Sequence, residues 1–354
     1  MQEKRCKANV EDVITLDPTS TKETFVLSSL RTICIRFIAI NIEHVDSLVG
    51  FPELVGKALF LEVEKGSHLD LHNPQCGVIM QLFLDAYHAA VLEHLTLRSA
   101  HLLINQHFDL WQRFTHLRIL DLGGCRLGDG HDMLSFVGQL ECLTCLSFQD
   151  NCLSDAGARK LTCPLRVLAH GPSNLRILDL SANPLLTNDA VRYLLHFEML
   201  EILDLSGTKV SKRGIKKLED KSLLMVDETA MRDVEKTFCG VCVGWAADTI
   251  TRWTDKLQCS PSEDSNSNNK STVAKFYGRS KQRMALAQTL TICKPSNRYP
   301  VICLRKSKHK CDVRLGQSHN TRSLSGEQHR SDAPHRKQHE LSKEDMALMA
   351  SYMI

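Results

Sequence analysis

The sequence predicts an α/β fold, a short solenoid in which short strands alternate with outer helices. Three observations support this prediction. One leucine-rich pattern recurs five times between residues 91 and 225. Two of its apolar positions are always two residues apart, which places them on the same face of a strand. Segments with helical hydrophobic spacing follow several copies, as expected when each copy forms one strand-and-helix unit.

The recurring pattern is L-x-x-L-x-L-x-x-(N/C)-x-L, which defines leucine-rich repeats. Successive copies start 25, 26, 32 and 25 residues apart. Their first residues are Leu92, Leu117, Leu143, Leu175 and Leu200. We expect the Asn or Cys position to turn the chain inward, where its side chain can bond backbone groups that the bend leaves unpaired.

The third repeat predicts where its outer helix begins and why this repeat is longer than the others. Ser154 or Asp155 is a suitable N-cap, because both side chains can accept a bond from a free backbone N–H of the first turn. Residues 164–172 begin and end with proline, and we interpret them as a turn-rich insert.

The flanking regions divide the rest of the chain. A terminal repeat would expose apolar surface, so solenoids need caps. Trp245, Ile250 and Trp253 have roughly helical spacing and predict a capping helix at the C-terminal end. A polar, low-complexity stretch after Gln258 is typical of a linker. The segments are a flexible N-terminus (1–24), a helical cap (25–90), the solenoid (91–225), a C-terminal capping region (226–257) and a mostly disordered basic tail (258–354).

Charge is distributed unevenly along the 354 residues. The net charge is +3, but residues 270–343 carry about +13 and residues 1–269 about −8. The first residues contain no secretory signal, and no apolar run is long enough to span a bilayer. We therefore expect an intracellular protein without membrane attachment, whose 14 Cys are reduced thiols rather than a disulfide framework.

Strand residues that point away from the core predict the binding surface. In a solenoid they line the concave face, which commonly binds a partner. Asp121, Asp179 and Asp204 recur at one register position and would form an acidic column that attracts a basic peptide. The alternative is that an Asp after Leu only decorates the strand. We expect a protein partner of unknown identity to contact Thr96, Arg98, Asp121, Ser147, Gln149, Asp179, Ser181, Asp204 and Ser206.

Four segments carry a resemblance to a known family. They are residues 41–52 (NIEHVDSLVGFP), 150–157 (DNCLSDAG), 244–246 (GWA) and 276–278 (FYG). They resemble the family called leucine-rich-repeat-containing protein 42, and the resemblance covers about residues 25–285. It implies an intracellular, nuclear, non-enzymatic repeat protein, and it narrows the fold more than the function.

Residues 29–38 (SLRTICIRFI) suggest a more specific function. This segment looks like the elongin-C-binding box of ubiquitin-ligase substrate receptors, Ser/Thr-Leu-x-x-x-Cys-x-x-x-aliphatic. Leu30, Cys34 and Ile38 form one stripe of a helix, which can insert into a groove of a partner. Residues 51–59 (FPELVGKAL) resemble the short cullin-contacting box, in which Pro52 would start a helix and Val55 would be the next contact.

The two boxes leave two interpretations open. In the first, both helices only cap the first repeat, since apolar stripes at helical spacing are usually core. In the second, the chain is a substrate-recognition subunit of a cullin-RING ubiquitin ligase, with elongin C and a cullin as partners. Burial of Leu30 and Cys34 would favour the cap, whereas an exposed apolar patch would favour the receptor.

Residues that could support catalysis do not follow a known pattern. The sequence has no His-Glu-x-x-His, no phosphate-binding glycine loop and no Gly-x-Ser-x-Gly elbow. We therefore expect a non-enzymatic protein without a cofactor. A zinc site needs four ligands, which Cys239, Cys242 and Cys259 with a tail His could supply in principle. We favour inert packing of the Cys-x-x-Cys pairs at 142/145 and 239/242, and so no metal.

Arg305, Lys306, Lys308 and Lys310 form a basic cluster in the predicted tail. Such a cluster in a flexible segment suits nuclear import or attraction to nucleic acid. Solubilising charge is the alternative. We favour a nuclear import signal over direct nucleic-acid binding.

Overall fold

The structure is a computed structural model that describes residues 29–238, 240–258, 301–307 and 343–350. Its centre is a seven-stranded sheet in the order β1-β2-β3-β4-β5-β7-β6. The strands are β1 (His94–Thr96), β2 (Ile119–Asp121), β3 (Cys145–Ser147), β4 (Ile177–Asp179), β5 (Ile202–Asp204), β6 (Leu224–Val226) and β7 (Cys303–Lys306). Each of the five leucine-rich windows contains one of the strands β1 to β5.

Strands β1 to β5 pair in parallel and in register. Their central leucines lie side by side in one row, which consists of Leu95, Leu120, Leu146, Leu178 and Leu203. All five side chains are buried, and each such burial stabilises the fold by about 1.5–3 kcal/mol. The parallel sheet confirms the predicted α/β leucine-rich-repeat fold.

The Asn position of the repeats satisfies the backbone at the inner bend. Asn183 Nδ2 donates to the carbonyl oxygens of Phe148 and Leu180, both at 2.9 Å. Its Oδ1 accepts from the backbone N–H groups of Asn151 and Leu153, both at 3.0 Å. Both Asn side chains are fully buried. The predicted inward turn is therefore confirmed, and Asn183 joins its own repeat to the preceding one.

Three helices precede the sheet: α1 (Leu30–Ile40), α2 (Glu53–Lys65) and α3 (Cys76–Tyr87). Pro52 is the N-cap of α2 with φ −58°, so the helix begins where the proline was predicted to start it. The buried rings of Phe60 and Phe83 meet edge to face with centroids 5.0 Å apart. This contact joins α2 to α3 within the same hydrophobic core as the first repeat.

Outer helices of unequal length connect the strands. They are α4 (His101–Gln106), α5 (Phe108–Trp111), α6 (Met133–Val137), α7 (Asp155–Val167), α8 (Val191–Leu194) and α9 (Lys212–Ser222). Ser154 is the N-cap of α7, since its Oγ accepts from the backbone N–H of Ala156 at 3.1 Å. The predicted insert at 164–172 is wrong at its start, because α7 continues through Pro164. Burial of Pro164 and Leu161 keeps the last turns packed on the core.

After β6 the chain returns across the sheet towards β1. It forms α10 (Ala230–Phe238) and then α11 (Ala247–Gln258). Trp253 of α11 donates its indole N–H to the carbonyl of Leu69 at 3.0 Å, and its ring meets Trp111 at 6.0 Å. A helix is therefore present where one was predicted, but its predicted position is wrong. Residues 227–238 and 240–246 cross the sheet before α11 begins. The helix therefore packs at the N-terminal end of the solenoid and not at the C-terminal end.

Two further strands cover the opposite end of the sheet. β7 pairs antiparallel with β5 on one side and with β6 on the other. Leu304 lies opposite Leu203, and both are buried. The prediction of a disordered basic tail is therefore wrong for residues 301–307. The short apolar run Ile302, Cys303 and Leu304 explains the difference, since all three side chains enter the core.

A second part of the tail is also ordered. Helix α12 (Lys343–Ala350) packs against α7. Asp345 accepts bonds from Arg159 Nε at 3.1 Å and from Arg166 at 3.0 Å. Because all three side chains are largely shielded from solvent, this contact fixes α12 on the convex side, and the predicted disorder is wrong here too.

Candidate protein-interaction surfaces

The predicted concave binding surface is largely covered. Five of its nine predicted contact residues are buried: Asp121, Ser147, Asp179, Ser181 and Asp204. Arg98 is exposed, and the remaining three are half-buried: Thr96, Gln149 and Ser206. The prediction that these five buried side chains face a partner is therefore wrong, and the covering element is the chain itself.

We call residues 227–238 and 240–246 the strap, because they cross the concave face. Within the strap, Ala230, Val234 and Phe238 of α10 are at i, i+4 and i+8, so they form one apolar stripe. This stripe joins a buried cluster with side chains of β3, β5 and β7, namely Cys145, Ile202 and Cys303. The stripe is visible in the sequence, but its spacing alone does not indicate that it covers the concave face.

The second half of the strap is held by the first strand. Thr96 Oγ1 donates to the carbonyl of Gly240 at 3.3 Å. Val243 N donates to the carbonyl of His94 at 3.0 Å, and the Val243 carbonyl accepts from the N–H groups of Glu93 and His94 at 2.8 and 3.2 Å. The strap therefore extends from β6 to the edge of β1.

The recurring Asp of the strands closes the turn that follows. In each case Oδ1 accepts the backbone N–H two residues later. The distance between this nitrogen and Oδ1 is 2.9 Å for Asp121 and Asp179 and 2.8 Å for Asp204. This is the geometry of an Asx turn, which a D-x-G or D-x-S spacing predicts. The acidic column is thus explained by the repeat architecture rather than by a ligand.

Burial changes the titration of this column. It raises the pKa of Asp179, and together with neighbouring Asp179 it raises the pKa of Asp204 to about 6. Burial also raises the pKa of Asp121, although bonds from Gly123 and from Arg98, 2.9 Å away, oppose the shift. Asp204 therefore gains its proton at a pH where an ordinary Asp is fully charged.

The outer face of α1 is the contrasting surface. Leu30 is 77% exposed, Ile33 53% and Phe37 69%, and Cys34 on the same face is also exposed. Ser29 caps the helix, since its Oγ accepts from the Thr32 N–H at 3.3 Å. A well-formed helix therefore presents an apolar stripe to solvent instead of burying it.

The remaining predicted adaptor-binding residues differ in exposure. Ile38 is half-buried and packs against the core, so it continues the stripe only in part. Pro52 is exposed at the start of α2, and Val55 is half-buried one turn later. Leu54 between them is 79% exposed. The two predicted boxes thus lie on helices that pack together, α1 and α2.

The predicted import cluster is divided between two environments. Arg305 is in β7, where its guanidinium pairs with Asp227 at 3.1 Å and with Asp233 of the strap. Lys306 donates its Nζ to the carbonyl of Glu198 at 3.2 Å. The prediction of a flexible segment is wrong for these two residues. Lys308 and Lys310 lie outside the described residues.

Two cysteines of the predicted Cys-x-x-Cys pairs, Cys145 and Cys242, are buried. Burial raises the pKa of the Cys145 and Cys242 thiols, which keeps them protonated and weakly nucleophilic. Cys239 and Cys259, named for a zinc site, lie outside the described residues. In the described ranges no three His, Cys, Asp or Glu side chains group as metal ligands. Among the helices described, none is both long and apolar enough to cross a membrane.

Comparisons with known proteins agree with this architecture. The Leucine Rich repeat family model matches residues 115–130 and 139–161. Leucine-rich repeat-containing protein 42 of Danio rerio is 36% identical over 344 residues, covering 93% of this chain and 82% of that protein. The protein of the same name is 35% identical in Homo sapiens (71% of this chain, 59% of that protein) and 36% in Xenopus tropicalis (74% and 64%). The chain therefore spans less than two thirds of the Homo sapiens and Xenopus tropicalis proteins. The match to the Danio rerio protein is longer than residues 25–285, over which the resemblance was predicted.

Proposed function

The chain belongs to the leucine-rich-repeat-containing protein 42 family, and on that premise we propose that it is a protein-interaction scaffold whose partner binds the outer face of α1. Leucine-rich-repeat membership supports a non-enzymatic interaction scaffold in general. In this proposal the concave face is not the binding surface, because the strap already covers it. The count of five repeats and a nuclear location stay predictions.

The exposure of one helical stripe carries the proposal. Leu30, Ile33 and Phe37 together leave three large apolar side chains in solvent on one face. Burying such a side chain contributes about 1.5–3 kcal/mol. Contiguous apolar patches on a protein surface are therefore typical of interaction sites. The opposite side of α1 packs on α2, so the exposed stripe belongs to a helix that the chain itself holds in place.

The sequence of the stripe supports one class of partner. Leu30 and Cys34 are spaced as in the elongin-C-binding box, and both are exposed. A simple cap would bury Leu30 and Cys34, whereas a receptor must leave them exposed for its adaptor. Pro52, at the start of the neighbouring α2, is exposed as a cullin contact would have to be. We therefore propose an elongin-C-type adaptor as the partner and a ubiquitin-ligase receptor as the function.

A pull-down of the full chain tests this proposal. Purified elongin C should be captured by the wild type and lost with Leu30→Ser/Cys34→Arg, because both substitutions remove apolar contact from the outer face. Leu102→Ser on α4 is the matched control, since Leu102 is 62% exposed but lies on another helix. It should capture elongin C like the wild type. Circular dichroism of all three proteins should be the same, because exposed substitutions change stability by about 0.5 kcal/mol or less.

Two results would overturn the proposal. One is a folded wild type that does not capture elongin C. The other is a dimer of the wild type in sedimentation that Leu30→Ser/Cys34→Arg converts to a monomer. In that case a second copy of the chain, and not an adaptor, would cover α1.

A further inference from the structure

A cavity of about 480 Å³ lies between α2 and the end of the strap, away from the outer face of α1. One wall is a stripe of α2 formed by Glu53, Lys57 and Leu61. The other wall contains Val243 and Trp245 of the strap. Its lining is completed by Ala89, Ala90, Glu93, Gly244 and Asp248. Neither the repeat motif nor the elongin-C-binding box accounts for this cavity, and the two residues of the cullin-contacting box that line it, Glu53 and Lys57, are not the predicted contacts Pro52 and Val55.

The Gly-Trp-Ala segment is built to hold Trp245 at this cavity. Gly244 has φ +138°, and a Cβ at this position would lie 2.4 Å from the carbonyl oxygen of Val91. Only glycine therefore allows the strap to approach so closely. The backbone N–H of Trp245 donates to the Ala90 carbonyl at 3.1 Å, and the backbone N–H of Ala246 donates to the Val91 carbonyl at 2.9 Å. The backbone of this segment is thus fixed on the first repeat.

The indole ring itself is supported from behind. Its centroid is 4.9 Å from that of Tyr87 and 6.1 Å from that of Phe60. Gly56 leaves room for the Tyr87 ring, since a Cβ there would lie 2.2 Å from it. Trp245 remains only partly buried. The cavity therefore has a fixed aromatic surface that solvent can reach.

Acidic side chains surround this aromatic surface. The lining of the cavity contains three carboxylates, Glu53, Glu93 and Asp248, and one cation, Lys57. Glu93 lies 3.4 Å from Arg118, whereas no ion pair within the described residues involves Glu53 or Asp248. Leu61 and Val243 add apolar surface, each about 40% exposed. Aromatic faces attract cations, and carboxylates strengthen that attraction.

We propose that this cavity binds a lysine or arginine side chain from a basic peptide of a partner protein. The cationic head lies over the Trp245 ring with Glu53 and Asp248 beside it. The hydrocarbon stem packs on Leu61 and Val243, as long cationic side chains do on apolar surface. This site goes beyond the adaptor-binding function, and its failure would leave that function untouched.

Quenching of tryptophan fluorescence by acrylamide tests the proposal on the full chain. The sequence has three Trp, and Trp111 and Trp253 are fully buried, so acrylamide reports mainly on Trp245. A capped pentalysine peptide should reduce quenching in a saturable way, whereas a capped pentaglutamine peptide should not. Glu53→Gln/Asp248→Asn should weaken pentalysine binding about tenfold, because two nearby charges are lost.

The matched control removes the same number of charges elsewhere. Asp109→Asn/Asp255→Asn changes two exposed acidic residues outside the cavity, one of them on the same helix as Asp248. It should bind pentalysine within about twofold of the wild type. The proposal fails if pentalysine does not protect the wild type. It also fails if the two double variants lose affinity equally, since binding would then reflect only the overall negative charge.

Discussion

The concave face of the sheet and the outer face of α1 are both apolar surfaces, yet the chain covers one and leaves the other exposed. On the concave face, Val234 and Phe238 of the strap bury Cys145 and Ile202. On α1, Phe37 is 69% exposed. The difference indicates that the concave face is part of the folded core, whereas the face of α1 is left exposed, as the proposed binding of a partner requires.

The composition of the strand residues explains why the concave face needs a cover. The register position that begins each strand holds apolar residues in β2 to β5, namely Ile119, Cys145, Ile177 and Ile202. A sheet face that is open to water usually carries polar side chains, whereas a face that packs on another element carries apolar ones. Four apolar residues in one row therefore require a second apolar element, and α10 provides it.

The largest expected effect comes from breaking the contact between strap and sheet. Val234→Asp should lower the free energy of unfolding by about 3 kcal/mol, because it introduces a carboxylate into the buried cluster. For a folded region of this size, that corresponds to a fall in Tm of about 6–12 °C. Thermal unfolding followed by circular dichroism measures the change.

A matched substitution on the same strap provides the control. Val241 is 77% exposed, so Val241→Asp should change Tm by about 2 °C or less. Equal shifts for Val234→Asp and Val241→Asp would contradict the assignment of α10 to the concave face.

A smaller effect is expected from the buried carboxylate under the strap. The folded-state pKa of Asp204 is raised to about 6, by burial, by Asp179 and by Glu235 of α10. A raised pKa means that the fold favours the protonated form. Its contribution to stability is therefore present at low pH and is lost as pH rises through about 6. The shift of the Asp204 pKa from 3.8 to about 6 corresponds to about 3 kcal/mol in total, of which about half is lost between pH 5 and pH 8.

Asp204→Asn isolates this contribution, because the amide oxygen can still accept the bond from Ser206 N–H. Urea unfolding at pH 5 and pH 8 should show that the wild type loses more stability than the variant over this interval. The exposed Asp220→Asn should behave like the wild type. A variant whose stability falls as steeply as that of the wild type would show that Asp204 is charged at both pH values.

The repeat architecture was predictable because each signal is local. The spacing of leucines defines the strands, and Asn151 and Asn183 form the bonds that their position predicts. The N-cap Ser154 and the start of α2 at Pro52 also follow from their nearest neighbours. The sequence pattern of each feature lies within one repeat or one helix turn, so it is readable locally, even though the Asn bonds also reach the neighbouring repeat.

The covered surface was not predictable from the same local signals. The stripe of Ala230, Val234 and Phe238 indicates an amphipathic helix but not which surface it covers. Likewise, Cys303 and Leu304 are separated by about a hundred residues from β5, with which β7 pairs. Contacts over such distances depend on the completed fold. The apolar run at β7 is short and is followed by a basic cluster, so the composition of this segment is typical of an exposed tail.

Native thiol labelling tests the contrast between the two surfaces most directly. Cys34 on α1 and Cys142 before β3 are exposed, whereas Cys145 and Cys303 are buried beneath the strap. Brief treatment with a thiol reagent, followed by peptide mass spectrometry, should modify Cys34 and Cys142 quickly and leave Cys145 and Cys303 unmodified until the protein unfolds. Modification of Cys145 as fast as Cys142, only three residues away, would mean that the concave face is open and would contradict this account.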